Sequence, residues 1–382
     1  MRAALLTIAW LATASAASAQ EAPAWQWSAD ANVFFGFNYQ RREFRDFSAW
    51  ESQNWLMGGI ERRSARNRLR LGAMLSFEAF TLKDIGSPQV FQTGETFEGA
   101  PLVDYQHPHD LIMGLGGAYE RKAGRLTLLA GLDLVGSPTL GPMPFMHRAS
   151  AIENPQAPLS HHYMDSSHIT HGVVRGGVGA GPWKLEGSWF HGREPDEDRL
   201  DLDLGRLDSY AGRLSWSRGP WYAQVSAAHL VQPERVTPFD ADKVTASIAR
   251  EAPGERGLSW MAGFGQKREV HGDFEAYLLE ATWRTSAKHA FYTRLESVAK
   301  DILDAGFHPT GFHQHRQSQV SAVTLGYLRN VLRTSAGSMG IGGDITAYGV
   351  PANLRESYGA PLSFHVFLRY RAPARRAEIH VH

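Results

Sequence analysis

The chain has no cysteine in 382 residues, so neither disulfides nor thiolate-bound metal can hold it together. It also lacks any charge imbalance, with 39 Lys and Arg against 39 Asp and Glu. Binding nucleic acid through its phosphates requires a basic surface, so that partner class is excluded. Long apolar runs are missing too. The apolar stretch 3–12 is too short to cross a membrane as a helix, and no later segment of spanning length is free of charge. A helical membrane protein is thereby excluded. A disulfide-free exported protein needs another source of stability, and a sheet closed on itself in lipid supplies one.

Export is indicated at the start. Met1-Arg2 precedes the apolar stretch, and the small residues Ala17-Ser18-Ala19 follow it. This is the layout of a secretory signal peptide, 1–19, with cleavage expected after Ala19. The absence of a cysteine near that site argues against a lipid-anchored precursor. No linker, low-complexity tract or charge block divides residues 20–382, which read as one domain with a short basic tail from about 372.

Glycine is abundant (38) and aromatics make up 11%. The dominant pattern is period two, the signature of a strand with one apolar face. Leu69, Leu71, Ala73 and Leu75 alternate with Arg70, Gly72, Met74 and Ser76. Trp183, Leu185 and Trp189 alternate with Lys184, Glu186 and Ser188, and Phe291, Thr293 and Leu295 with Tyr292, Arg294 and Glu296. Charged residues in mid-strand require water on their face, which in a barrel is the lumen. About sixteen strands are expected, near 26–39, 55–63, 68–80, 109–121, 125–135, 168–180, 183–191, 207–217, 221–231, 242–250, 257–267, 274–285, 289–299, 317–329, 336–348 and 362–371, with fourteen as the alternative count. Most approach the roughly 9–11 residues of a tilted spanning strand.

Connections alternate in length. Tight ones fall at Ser64–Asn67, Lys122–Gly124, Gly181-Pro182, Arg218–Pro220 and Ser286–Lys288, and long ones at 40–54, 81–108, 136–167, 192–206, 232–241, 300–316 and 349–361. Short periplasmic turns and long external loops are the rhythm of a transmembrane antiparallel up-and-down β-barrel in the outer membrane of a Gram-negative bacterium. Its partners would then be membrane lipid, the barrel assembly machinery and small ions or solutes. Tyr370 is placed to serve as the strand-end aromatic read during assembly, although residues follow it.

Of seventeen histidines, thirteen fall in the long loops or at the strand ends beside them. The densest groups are His107, His109 and Asp110, then His147, then His161, His162, His168 and His171. Imidazole suits copper, zinc, nickel and iron, and thioether suits Cu(I). Met143, Met146 and Met164 near these histidines therefore tilt a metal reading toward copper, with zinc as the alternative. In an extended strand His107 and His109 would share a face. Against this stands a structural role, since histidine also caps and hydrogen-bonds in polar loops. The spacing matches no closed zinc motif. Prolines at 138, 142, 144, 155 and 158 stiffen this loop, as expected of a constriction or lid. Arg70, Glu78, Lys184, Glu186, Arg213, Glu280, Arg294 and Glu296 are expected in the lumen, with mixed signs and hence no clear ion preference.

Several stretches carry a resemblance: Pro101-Leu102-Val103-Asp104, His107-Pro108-His109-Asp110-Leu111, Leu140-Gly141-Pro142, Phe145-Met146-His147-Arg148, Asn154-Pro155, Ala157-Pro158-Leu159, His161-His162, His168-Ile169-Thr170 and the last strand, 363–369. They resemble an uncharacterised family of Gram-negative outer-membrane β-barrels, some members of which are linked to heavy-metal resistance, copper included. The resemblance implies a location more than an activity, and brings no catalytic residues with it.

Three functions compete. The first is a barrel that binds or passes a small solute, plausibly a transition metal, through a His- and Met-rich outer mouth. The second is an outer-membrane lipid hydrolase using Ser166 or Ser167 with His168 and Asp165. The third is a general porin or structural barrel without metal dependence.

Overall fold

The computed structural model describes residues 25–83, 85–235, 238–303 and 317–373. The leader, the end of the tail and His308, His313, His315, His380 and His382 lie outside the described residues. The chain begins with β1 (Trp25–Arg42), turns at Glu43 and Phe44 into β2 (Arg45–Glu51), and resumes after two residues as β3 (Asn54–Arg63). β4 (Asn67–Leu75) leads to a one-turn helix, α1 (Glu78–Thr81), and to a hairpin of β5 (Ser87–Phe97) and β6 (Ala100–Gln106). Next come β7 (Ile112–Ala123) and β8 (Leu126–Gly136), then a loop holding α2 (His161–Met164), then β9 (Thr170–Ala180) and β10 (Trp183–Phe190). β11 (Ser209–Arg218), β12 (Trp221–Leu230), β13 (Ala241–Arg250), β14 (Gly257–Glu269) and β15 (Gly272–Arg284) follow. β16 (His289–Lys300), β17 (Ser318–Thr334), β18 (Gly337–Gly349) and β19 (Leu362–Arg371) complete the order.

Seventeen of these strands form one antiparallel sheet, and β5 with β6 forms a second of two strands. β1 pairs with β2 along its outer half and with β3 along its inner half, so β2 and β3 are one wall strand broken at Ser52 and Gln53. The wall is therefore sixteen strands, and pairing of β1 with β19, from Asn32↔Arg371 to Arg41↔Leu362, closes it. Closure satisfies every edge, which a sheet in lipid requires.

The alternation assigned from sequence sets the two faces. Leu71, Leu128, Leu185, Leu214, Val225, Leu295, Ile345 and Val366 are exposed on the outer wall. Trp183, Trp221, Trp283 and Tyr370 ring its periplasmic edge, and Trp50, Trp189, Tyr210 and Tyr277 its opposite edge. Their partners in the alternation, such as Glu186, Glu280, Arg294 and Glu296, are buried inside.

Three expectations require correction. The segment 40–54 is not a loop: β1 and β2 carry the ladder outward to a two-residue turn, with Phe37, Tyr39 and Trp50 on the outer face and Gln40, Phe47 and Glu51 on the inner one. The third expected strand stops at Leu75, not at 80, because Asn54 draws the chain inward by accepting from the Phe77 amide at 2.7 Å. Glu78 therefore sits on α1 and is no wall residue. Likewise His107, His109 and Asp110 precede β7, whose ladder begins at Ile112, so the shared strand face expected for the two histidines does not exist.

Candidate metal centre in a loop-filled lumen

Two long loops fold inward. The β5–β6 hairpin is buried nearly throughout, and so is the 137–169 loop. Their polar groups are matched to lumen-facing residues on almost every side. Gly141 donates its N–H to Ser226 (2.8 Å) and accepts from Arg213 (3.2 Å). Thr282 donates to the Ser150 carbonyl (2.8 Å), Arg294 to that of Gln156 (2.8 Å) and Asn32 to that of Ile152 (3.1 Å). Ser160 donates from both its amide (3.0 Å) and its hydroxyl (2.8 Å) to Glu296. Glu153 binds Arg284 on β15 and Arg369 on β19, four strands apart in the wall. Arg148 forks between Asp165 within the loop and Glu280 on the wall. Space for this loop comes from small wall residues. A Cβ at Gly265 would stand 2.6 Å from the Tyr163 carbonyl, and one at Gly263 3.0 Å from the Met164 sulfur.

The lumen charges expected from sequence are thus mostly anchors. Glu280, Arg294, Glu296 and Arg213 hold the loop, whereas Arg70 pairs within the wall with Glu120 at 2.7 Å. Glu186 binds Lys184 (3.1 Å) and Arg213 (3.2 Å) beside a vestibule of about 360 Å³ that opens below the loop.

Above the loop's base, five imidazoles form a closed ring. Successive ring centroids lie 6.4 Å apart for His107 and His109, 5.4 Å for His109 and His168, 5.2 Å for His168 and His161, 5.5 Å for His161 and His162, and 6.1 Å for His162 and His107. Hydrogen bonds select the free nitrogens. His109 Nδ1 donates to Glu78 (2.7 Å), His161 Nδ1 to the Asp165 carboxylate (2.8 Å) and His168 Nδ1 to the Asp165 carbonyl (2.8 Å). In the neutral form each then presents a lone pair at Nε2, and a partner on Nδ1 is the usual outer support of a metal-bound histidine. Nε2 of His109 and of His168 is buried without a hydrogen-bond partner. His107, His109, Asp110, His161, Ser166 and His168 border a cavity of about 20 Å³, which is of ion or water size. His107 itself faces acceptors with both nitrogens, Pro108 O at 3.0 Å and Glu95 at 2.9 Å.

Other expected ligands are placed elsewhere. His147 stands edge-on to Trp55, with centroids 4.5 Å apart. His171 accepts the Asp203 amide at Nδ1 (2.8 Å), so its proton is on Nε2, facing Asp110 at 3.6 Å. Asp110 is paired with Arg199 (3.3 Å), and burial pushes its carboxyl up to about 7 despite that cation. The methionines do not join the ring. Met146 packs with Trp55, Met74 and Met113, Met164 packs against the wall, and Met143 lines the vestibule. The tilt toward Cu(I) loses its basis, because thioethers so near in sequence are drawn into apolar clusters. The hydrolase trio is not assembled either. The Asp165 carboxylate serves Arg148 and His161, His168 binds the Asp165 backbone carbonyl and not the carboxylate, and all lie inside the barrel.

Sequence reasoning placed Glu78 in the lumen but not beside His109, and it missed Glu95, Glu194, Arg199 and Glu234. Arg199, on the 191–208 loop, binds both Glu95 and Asp110 and lids the ring. His107 and Arg199 hold the Glu95 carboxyl at about 2 against its burial. Among the described residues, the sets of three or more ligand atoms lying within 4.8 Å of one another are His162 with Glu194 and Glu234, and Asp196 with Asp201 and Asp203. The ring therefore offers ligands pairwise rather than as one closed triad.

Protonation sets how firmly the loop sits. Burial pushes His168 and His162 well below the ordinary imidazole range, helped by neighbouring imidazoles and, for His162, by Lys300 and Lys243. His161 is also lowered by burial, against the pull of Asp165. His109 is buried too, but Glu78 raises it. A lowered histidine takes up its proton more readily once the loop is released. Its effect is absent well above about pH 6.5 and weakens seating as pH falls below that value. His109, Asp110 and Glu194 act in the opposite sense, Glu78 raising the first and burial the other two, but they stand on neighbouring segments, whereas the three lowered imidazoles are carried by the loop itself. Acidification from pH 7.5 to 5 should therefore increase openings in planar-bilayer recordings; more openings at the alkaline end would refute the sign.

No protein-family model matches the chain, and no curated protein matches it in sequence. Solved structures match in fold. Pseudomonas putida OprB aligns with a TM-score of 0.54 and 10% identity, over 91% of this chain and 94% of that one. Salmonella typhi OmpF, solved in complex with daunomycin, aligns with a TM-score of 0.52 and 7% identity, over 90% and 97%. At such identities the likeness is one of fold, that of a closed sixteen-stranded barrel. With its apolar outer wall and two aromatic girdles, this barrel is an outer-membrane protein.

Proposed function

We propose that this barrel takes up a small solute through its outer mouth, and that the solute is a transition-metal ion handled by the imidazole ring. The observation that supports this best is the set of committed Nδ1 atoms, which leaves buried lone pairs on His109 and His168 facing an ion-sized cavity. A buried acceptor without a donor is costly, and a cation relieves it. Imidazole without thioether suits Zn²⁺ or Cu²⁺. Pairwise ligation fits cargo, since a conducted ion must bind well enough to enter and weakly enough to leave. Passage of solutes also accords with the barrel fold shared with OprB and OmpF.

The test is equilibrium dialysis of the refolded barrel against Zn²⁺ and Cu²⁺. The double variant His109→Ala/His168→Ala should bind at least about tenfold more weakly, and Glu78→Gln should weaken binding by about 10-fold by loosening His109. Equal binding by the intact barrel and the double variant would return the imidazoles to a structural role.

A further inference from the structure

We propose a second cation site beside the ring, where His162, Glu194 and Glu234 meet, built for a divalent ion that prefers oxygen donors, such as Mn²⁺. The three side chains come from three separate loops: 137–169, 191–208 and 231–240. Their ligand atoms all lie within 4.8 Å of one another. His162 Nδ1 stands 3.9 Å from Glu194 and 4.0 Å from Glu234. These separations are too long for hydrogen bonds. Neighbouring ligands about 2.2 Å from an octahedral Mn²⁺ stand about 3.1 Å apart, so an inward shift of about 1 Å would close the set.

His162 is aimed at this spot. Its side chain is 4% exposed and its Nδ1 has no hydrogen-bond partner. A Cβ on Gly94 would fall 2.2–2.5 Å from the imidazole atoms, so the ring lies flat on the Gly94 backbone, which fixes its direction. The buried Glu194 oxygens have no well-formed hydrogen bond, the Ser166 hydroxyl being their polar neighbour, and Glu234 has two contacts to Lys267 at 3.4 Å. Lys267 has a second carboxylate, Glu269, at 3.5 Å, and Lys243 reaches Ser166 at 3.4 Å. Lys300 also acts on His162 and Glu95 on Glu194, so the surroundings mix carboxylates with ammonium groups. Arrival of a cation releases Lys267 from Glu234 while Glu269 keeps it paired. The site differs chemically from the ring, with two carboxylates to one imidazole, and does not depend on the ring binding metal.

Mn²⁺ separates the two because all-imidazole ligation suits it poorly. The free aqueous Mn²⁺ signal in electron paramagnetic resonance reports binding by the full-length refolded barrel. One ion per barrel is expected. Glu194→Gln and Glu234→Gln should each weaken it at least about tenfold, whereas His109→Ala/His168→Ala should leave it unchanged. Lys267→Met should tighten it, a change that misfolding cannot mimic. No uptake by the intact barrel at millimolar Mn²⁺, or unaltered uptake by both glutamine variants, would overturn the site. Neither result bears on the ring, which the Zn²⁺ and Cu²⁺ dialysis reads separately.

Discussion

Arg148→Ala should turn the loop-filled barrel into a conducting one. Arg148 is 5% exposed, and Asp165 and Glu280, which it joins, are 1% exposed. It also donates to the Met143 carbonyl at 2.9 Å. Truncation leaves two buried carboxylates with reduced compensation, and removing one partner of a buried pair costs about 3–5 kcal/mol. Glu280 keeps Ser150 and Arg294, and Asp165 keeps His161 and the Phe145 amide, so the loss is partial. The strand ladder is untouched, because none of the contacts that Arg148 makes lies between wall strands. The expected phenotype is therefore a barrel with wild-type heat-modifiable migration on gels and several-fold higher single-channel conductance. Arg148→Lys should fall between, since an ammonium cannot fork to both acids. Unchanged conductance in Arg148→Ala would mean that the 137–169 loop is not the barrier.

Gly141→Val should produce the second large effect, at the loop's other anchor. Gly141 has φ +73°, where a β-branched residue is strained by upwards of about 1–2 kcal/mol. A Cβ there would also stand 1.8 Å from the Met164 carbonyl, which is backbone and cannot swing aside. Yielding means moving α2, and with it His161 and His162. Both loop seating and metal affinity should fall, visible as raised conductance and weakened Zn²⁺ uptake in the same preparation. Gly124→Ala is the matched control. It has φ +64° but nothing within 4 Å of the added carbon, so only the strain applies. Should Gly141→Val bind Zn²⁺ and conduct like the parent, α2 would not depend on that approach.

The wall was legible because its cause is local. Leu185 and Trp189 face lipid and Glu186 faces the lumen through the two-residue period of any strand, whatever its neighbours. The Gly-Pro-Trp turns at 181–183 and 219–221 sit where the sequence put them. Legibility failed where a side chain far along the chain decides the course. Strand β4 ends at Leu75 because Asn54 captures the next turn, and 40–54 stays in the ladder because β1 is long enough to pair with it.

At the site, the histidine-rich loops were evident, but their sorting was not. His147 and His171 look like His161 and His168 in sequence. Trp55 and the Asp203 amide remove the first two, while Asp165 prepares the others, His161 through its carboxylate and His168 through its carbonyl. Glu194 and Glu234 carry no signal at all until the fold brings their loops to His162.

The amino-acid order alone dictated a closed sheet with lipid outside, since alternation, turn residues and strand length act over a few neighbouring positions. Which charge becomes an anchor and whether the lumen is filled were decided by contacts between residues a hundred or more positions apart, such as Arg148 with Glu280 and Arg294 with Gln156. Such contacts exist only once the barrel has closed around its own loops.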